Sequence, residues 1–299
     1  MLHTVTSYFN PARYRSRLAN YRAFRRHLRG PLVTVELSFD GQFELDASDA
    51  TQLIQVLATD VMFQKERLLN LAVGALPGDC DAVAWVDCDV ILSEDWASRA
   101  TKALRTSRLV QLYERQFNLT RDGIGQTLFG TSVARKFLSG EMTLNDFTAG
   151  AMPVPQTAWG LAWAAPRQLL DEHHLYDSCI AGSGDAALFC AAVGGFDRPT
   201  EALRMSADWH RHYLAWARPF HAAIAGRIGC LDGPVQHLWH GEMEHRQYRQ
   251  RHQHLQQFQF NPATDIALTG NGCWRWNSEK PEMQAWIAAY LRGRREDGD

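Results

Sequence analysis

The sequence predicts an α/β protein built on a parallel sheet with crossover helices. Two observations carry this. Strand-forming apolar runs alternate with amphipathic helical segments from Val5 to Asp87. The most apolar of these runs, Ala82-Val-Ala-Trp-Val, ends in two aspartates one residue apart, Asp87 and Asp89.

In order, residues 5–9 read as a strand ended by Asn10-Pro11. Residues 12–28 carry Tyr14, Leu18, Tyr21 and Leu28 at helical spacing, with seven arginines between Arg13 and Arg29, and Gly30-Pro31 stops the helix. Residues 32–39 form a second strand closed by Asp40-Gly41. After a polar stretch, residues 63–76 make an amphipathic helix that leads into the strand ending at Asp87. Residues 116–155 are rich in Gly, Thr, Ser and Asn, which predicts a long irregular insert acting as a lid or acceptor-side loop. Helical patterns return at 167–174 and 185–193, followed by a His/Trp/Arg-rich stretch over 209–220. A last amphipathic helix covers 283–292, and the charged residues after it are expected to fray.

With 299 residues the chain can bury a large core, and no linker demands a domain break. A net charge of −2 gives no reason to expect a polyanion partner for the whole molecule. The opening residues lack the basic and apolar regions of a secretory signal, and no apolar run approaches the ~20 residues of a membrane span. Six cysteines without a CxxC pair read as reduced thiols, and together these features predict a cytoplasmic protein.

Side chains alternate across a strand, so residues i and i+2 share a face about 6–7 Å apart. Asp87 and Asp89, so placed where a buried strand leaves the sheet, suit a divalent cation carrying a phosphorylated ligand. Asp79-Cys-Asp81 has the same form, but it follows Pro77-Gly78 and reads as a turn entering the strand. In Gly182-Ser-Gly184-Asp185 the aspartate is either a helix cap or a base for an acceptor hydroxyl. In Gln236-His237-Leu-Trp239-His240-Gly241, a histidine either completes a cation site begun by the aspartates or packs in a hydrogen-bonded core. Trp159-Gly160-Leu-Ala-Trp163 offers indoles that stack on a sugar or pack internally, which makes Trp163 a candidate donor contact. The arginine-rich helix reads as a wet face over an apolar stripe, from which a nearby diphosphate could recruit one or two guanidiniums.

Taken in order, these pieces resemble the GT-A glycosyltransferases, particularly family 2 and the β-1,4-galactosyltransferase-like branch. The matching elements are residues 5–9, the helix with Phe63-Gln-Lys-Glu-Arg67-Leu-Leu-Asn70, Asp87-Cys-Asp89, Gly182-Ser-Gly184-Asp185 and His237-Leu-Trp-His240-Gly241. They cover roughly Val5 to Tyr248. The resemblance implies a central, mostly parallel sheet flanked by helices in one domain over 1–299. Within it, 1–115 would be the nucleotide-sugar half, 116–250 the acceptor half and 251–299 an extension.

It also implies Mn²⁺ or Mg²⁺ and a nucleotide-diphosphate sugar, most readily a UDP-sugar, with a glycan, protein, small molecule or nucleic acid as acceptor. Ser7, Tyr8 and Glu36 would lie near the base or ribose, and Arg67 toward the diphosphate. Asp89 would bind the metal directly, with Asp87 reaching it or the ribose. His240 would be the late metal-binding histidine, and Asp185 would deprotonate the acceptor. One departure is that Asp185 is followed by Ala186-Ala187 instead of a denser acidic cluster. The competing readings are a nucleotidyltransferase on the same fold, for which the Gly-rich basic phosphate loop is missing near Ser7, and a nucleic-acid-binding protein using the basic helix.

Overall fold

In the Ala82–Val86 run, Val83 and Trp85 join one buried apolar cluster, while Ala84 and Val86 join another. A two-residue period with both faces apolar makes a central strand covered on each side. The computed structural model describes residues 1–298 and bears this out across an α/β architecture.

The strands are β1 (Leu2–Phe9), β2 (Leu32–Ser38), β3 (Gln52–Leu57), β4 (Ala82–Val86), β5 (Val90–Leu92), β6 (Leu109–Gln111), β7 (Arg115–Leu119), β8 (Gln126–Ser132), β9 (Thr157–Ala158), β10 (Ala162–Pro166), β11 (Ile228–Cys230), β12 (Pro234–His237), β13 (Ile266–Leu268) and β14 (Trp274–Trp276). The helices are α1 (Arg15–His27), α2 (Lys65–Gly74), α3 (Trp96–Ala103), α4 (Val133–Leu138), α5 (Arg167–His173), α6 (Gly184–Val193), α7 (Asp197–Ala202), α8 (Ala207–Ile224), α9 (Gln250–Gln256), α10 (Pro262–Asp265) and α11 (Pro281–Arg292).

Seven strands form the central sheet in the order β11-β6-β10-β4-β1-β2-β3. It is mostly parallel, with β10 running antiparallel to both neighbours. On one side α2 packs over β1 and β2. On the other, Phe24 of α1 joins Leu32, Ala84 and Val86. A second sheet, β5-β12-β7-β8-β9, stands beside the first, and β13 and β14 pair separately. The central sheet draws strands from both sides of residue 115.

Three sequence expectations need correction. The polar stretch after Asp40-Gly41 contains β3, an edge strand whose half-exposed Gln52-Leu-Ile-Gln-Val-Leu57 pattern lacks a continuous apolar face. The 116–155 segment is not an irregular insert throughout, because β7 and β8 pair as an antiparallel hairpin and α4 follows. The charged residues after α11 do not fray: Arg294 is 8% exposed and Glu296 1%. All six cysteines are free thiols. No helix among the described residues is long and apolar enough to cross a membrane.

Candidate functional site

The chain leaves the central sheet at the end of β4, turns through Asp87-Cys88-Asp89 and enters the second sheet as β5. Because these three residues form a turn and not a strand, the two aspartates do not share a face. They point into two different clusters, and both line one cavity of about 630 Å³.

Asp89 meets two imidazoles. β12 runs antiparallel to β5 with His237 opposite Val90, and the Leu238 amide donates to the Asp89 carbonyl at 2.8 Å. That register brings His237 Nε2 to 3.7 Å from Asp89 Oδ1 and His240 Nε2 to 3.6 Å from Oδ2. The two rings sit 4.4 Å apart, centroid to centroid, nearly edge to face. Among the described residues, Asp89, His237 and His240 form the group able to hold a metal ion, with one ligand atom from each lying within 4.8 Å of the others.

The two imidazole nitrogens fit a first-row transition cation such as Mn²⁺ better than Mg²⁺, which prefers oxygen alone. Asp89 Oδ1 is buried without a hydrogen-bond partner among the described residues, a cost that a cation would relieve. Burial, Arg246 and His237 hold His240 well below the usual histidine range, so its imidazole is neutral and able to ligate. Burial alone would raise Asp89, but His237, Arg246 and Arg17 together outweigh it and the carboxyl ends below its ordinary value.

Asp87 belongs to the other cluster. Its Oδ1 lies 2.7 Å from Lys65 Nζ, which also donates to Asp185 Oδ2 at 2.8 Å. Burial, with Asp185 and Asp89 adding to it and Lys65 opposing, pushes the Asp87 carboxyl up to about 6. Lys65 itself is buried, which would lower it, yet Asp185, Asp87 and Glu66 together hold it well above the normal lysine value.

Asp185 opens α6, and Ser183 before it is left-handed at φ 74°. Two glycines make room for these carboxylates. A Cβ on Gly160 would lie 2.6 Å from Asp185 Oδ2, and one on Gly184 would lie 2.2 Å from Glu66 Oε1. Asp185 accepts from Lys65 and lines the cavity, an arrangement compatible with a base as well as with a helix start.

Of the other sequence candidates, Ser7 lines this cavity. Tyr8 and Glu36 line a neighbouring cavity of about 110 Å³. There the Tyr8 hydroxyl donates to Glu44 at 2.8 Å, and Glu36 accepts from the Glu44 amide at 2.6 Å and from Gln55 Nε2 at 2.9 Å. Arg67 is engaged by Asp177 at 3.0 Å and is not among the residues lining the large cavity. Trp163 is fully buried in β10, with its indole N–H on the Trp159 carbonyl at 3.1 Å; Trp159 lines the cavity instead.

Sequence reasoning missed Lys65, and it singled out His240 over His237. The signal for Lys65 was present: it lies at helical spacing from Leu68, Leu69 and Ala72 on the buried stripe of α2, where a lysine needs a partner.

No family model and no curated protein sequence matches the chain. Among solved structures it is similar to S. aureus TarS 1–349, with 11% identity over 98% of this chain and 71% of that one at a TM-score of 0.41. It is also similar to glucosyl-3-phosphoglycerate synthase from Mycobacterium tuberculosis, in complex with Mn²⁺, uridine-diphosphate and phosphoglyceric acid. There the identity is 12% over 98% and 78% of the two chains, at a TM-score of 0.37. A third likeness is 4-diphosphocytidyl-2C-methyl-D-erythritol synthase from Anaerococcus prevotii, with 9% identity over 98% and 96% at a TM-score of 0.36. The chemistry of the site stands on its own residues.

Proposed function

We propose that this protein is a metal-dependent glycosyltransferase of the GT-A type, moving a sugar from a nucleotide-diphosphate sugar to an acceptor hydroxyl. The observation that carries this reading is the meeting of two clusters in one cavity: Asp89, His237 and His240 on one side, Lys65 with Asp87 and Asp185 on the other. Such a cavity at the carboxyl end of β4 lies where open α/β sheets bind ligands.

Asp89, His237 and His240 would hold the cation, which when bound offsets negative charge on a departing diphosphate. Lys65 fixes the Asp185 carboxylate in place, and Asp185 takes the proton from the acceptor hydroxyl. Trp159 presents an aromatic wall suited to a sugar face. A UDP-sugar is the donor we favour.

The test is a thermal-shift series with UDP-, GDP- and dTDP-sugars, each with and without Mn²⁺. A donor that stabilises the protein more with Mn²⁺ than without it, and loses that gain in Asp89→Ala, supports the reading. Equal stabilisation of wild type and Asp89→Ala by Mn²⁺ and donor would remove it.

A further inference from the structure

Five lysine and arginine side chains line the large cavity: Arg17, Lys65, Arg246, Arg251 and Arg294. Four of them have carboxylates. Lys65 sits between Asp87 and Asp185, Arg17, Arg246 and Arg294 pair with Glu296, and Arg17 and Arg246 also face Asp89. Arg251, in α9, is the exception. No carboxylate of the described residues lies within 4.0 Å of its guanidinium. Each of its hydrogen-bond partners is neutral: Nη2 donates to Ser183 Oγ at 2.6 Å, Nη1 to the Tyr290 hydroxyl at 2.9 Å and Nε to His252 Nε2 at 3.3 Å. Burial, with Arg251 adding to it, pushes the His252 imidazole down to about 3, so that ring carries no charge. The Tyr248 ring packs against the guanidinium, 4.9 Å from centroid to Cζ.

Arg251 is 6% exposed, and a buried charge without a counter-charge is costly. The neutral contacts fix the guanidinium in place and leave its charge uncompensated. Among the described residues they also leave one N–H on each Nη without a partner. Acids on the adjoining elements do not supply the charge. Asp177 is engaged by Arg67, Asp185 by Lys65, and burial pushes Glu66, packed against Gly184, up to about 8, which keeps it protonated near neutral pH. The position of Arg251 points to what does supply it. Ser183, its closest partner, immediately precedes α6 and lies two residues before Asp185, the base in the reading above, and all three line the cavity. A molecule whose hydroxyl is at Asp185 therefore has its neighbouring groups at Arg251.

We infer that Arg251, with the Ser183 hydroxyl beside it, binds an acidic group of the acceptor, so that the acceptor is an anionic hydroxyl compound carrying a phosphate or a carboxylate. This rests on the glycosyltransferase reading above and names the substrate class of that site. The acid completes a charge pair that the chain leaves open. A neutral acceptor of the same shape leaves the guanidinium buried without a counter-charge, and that difference is what discriminates against it.

The test uses the full chain with Mn²⁺ and saturating UDP, which fills the donor's phosphate positions, titrated by calorimetry with glycerol 1-phosphate, glycerate and glycerol. Wild type binds at least one of the two anions about tenfold or more tighter than glycerol, and the tighter anion identifies the acid. Arg251→Gln loses that preference while its affinity for UDP with Mn²⁺ stays within about twofold, and Arg251→Lys recovers part of it, as expected for a lost charge-assisted hydrogen bond. If Arg251→Gln fails to fold by circular dichroism, Ser183→Gly decides: glycine suits the φ of 74° and removes the hydroxyl, and anion binding weakens about threefold or more. Equal binding of the anions and glycerol, or an unchanged preference in folded Arg251→Gln or Ser183→Gly, overturns the inference. So does anion binding that UDP abolishes, since the anion would then occupy the donor's place. Failure of UDP to bind with Mn²⁺, with Arg251-dependent anion binding intact, would instead remove the nucleotide-sugar reading and leave the anion subsite standing.

Discussion

Glu66→Gln tests whether a neutral carboxyl is built into the wall behind the site. Glu66 sits in the first turn of α2, 6% exposed, with Oε1 unpartnered among the described residues. Burial pushes the acid from 4.5 up to about 8, with Lys65 opposing and Asp185 adding to the rise. The folded protein therefore keeps a proton that the unfolded chain gives up at lower pH. The stability linked to that proton is complete below the unfolded value and is lost as pH climbs toward the folded one. At about 1.4 kcal/mol per pH unit the loss is bounded by about 5 kcal/mol, and sharing of charge with Lys65 brings the working expectation to about 2–3 kcal/mol.

Glutamine keeps the shape and carries no charge at any pH. Urea unfolding of both proteins at about pH 5 and about pH 9 reads the effect. Near pH 5 the variant should match wild type within about 1 kcal/mol, and near pH 9 it should be the more stable by about 2–3 kcal/mol. Parallel stability curves for the two proteins would refute the idea that Glu66 is held protonated.

Lys65→Met removes the cation shared by Asp87 and Asp185 and should cost about 3–5 kcal/mol near neutral pH. The loss should shrink at about pH 5, where Asp87, raised to about 6, protonates; a pH-independent loss in urea titrations would point to packing alone. Asp185→Asn should lower kcat about a hundredfold or more while changing the donor KM much less. Equal losses in both would assign Asp185 to the start of α6 only. Glu296 is a depressed acid: burial would raise it, but Arg17 and Arg246 outweigh burial. Its contribution is present above the ordinary glutamate value and disappears as pH falls through the depressed one. Glu296→Gln should therefore lower Tm near neutral pH and flatten the acid limb of the Tm profile, and an unchanged acid limb would count against it.

The central strands were legible because their signal is local. The run ending at Val86, the helix after Phe63 and the first two strands each show their period within a few residues, and all are present. β3 was not legible, since an edge strand needs only one covered side and Gln52 and Gln55 break its pattern. At the site, the residue types were readable: acids at a strand end, late histidines, and an aspartate opening a helix.

Residue order alone reveals that an acidic pair follows a buried strand and that imidazoles and arginines occur elsewhere in the chain. Which of them meet is set by the fold. The turn at Cys88 sends Asp87 to Lys65 and Asp89 to His237 and His240, and the burial of Glu296 gathers Arg17, Arg246 and Arg294. The reason is physical: periodicity reports the face a residue takes within its own element. A carboxylate's partner is set by strand register and by which distant charges must be neutralised when buried together.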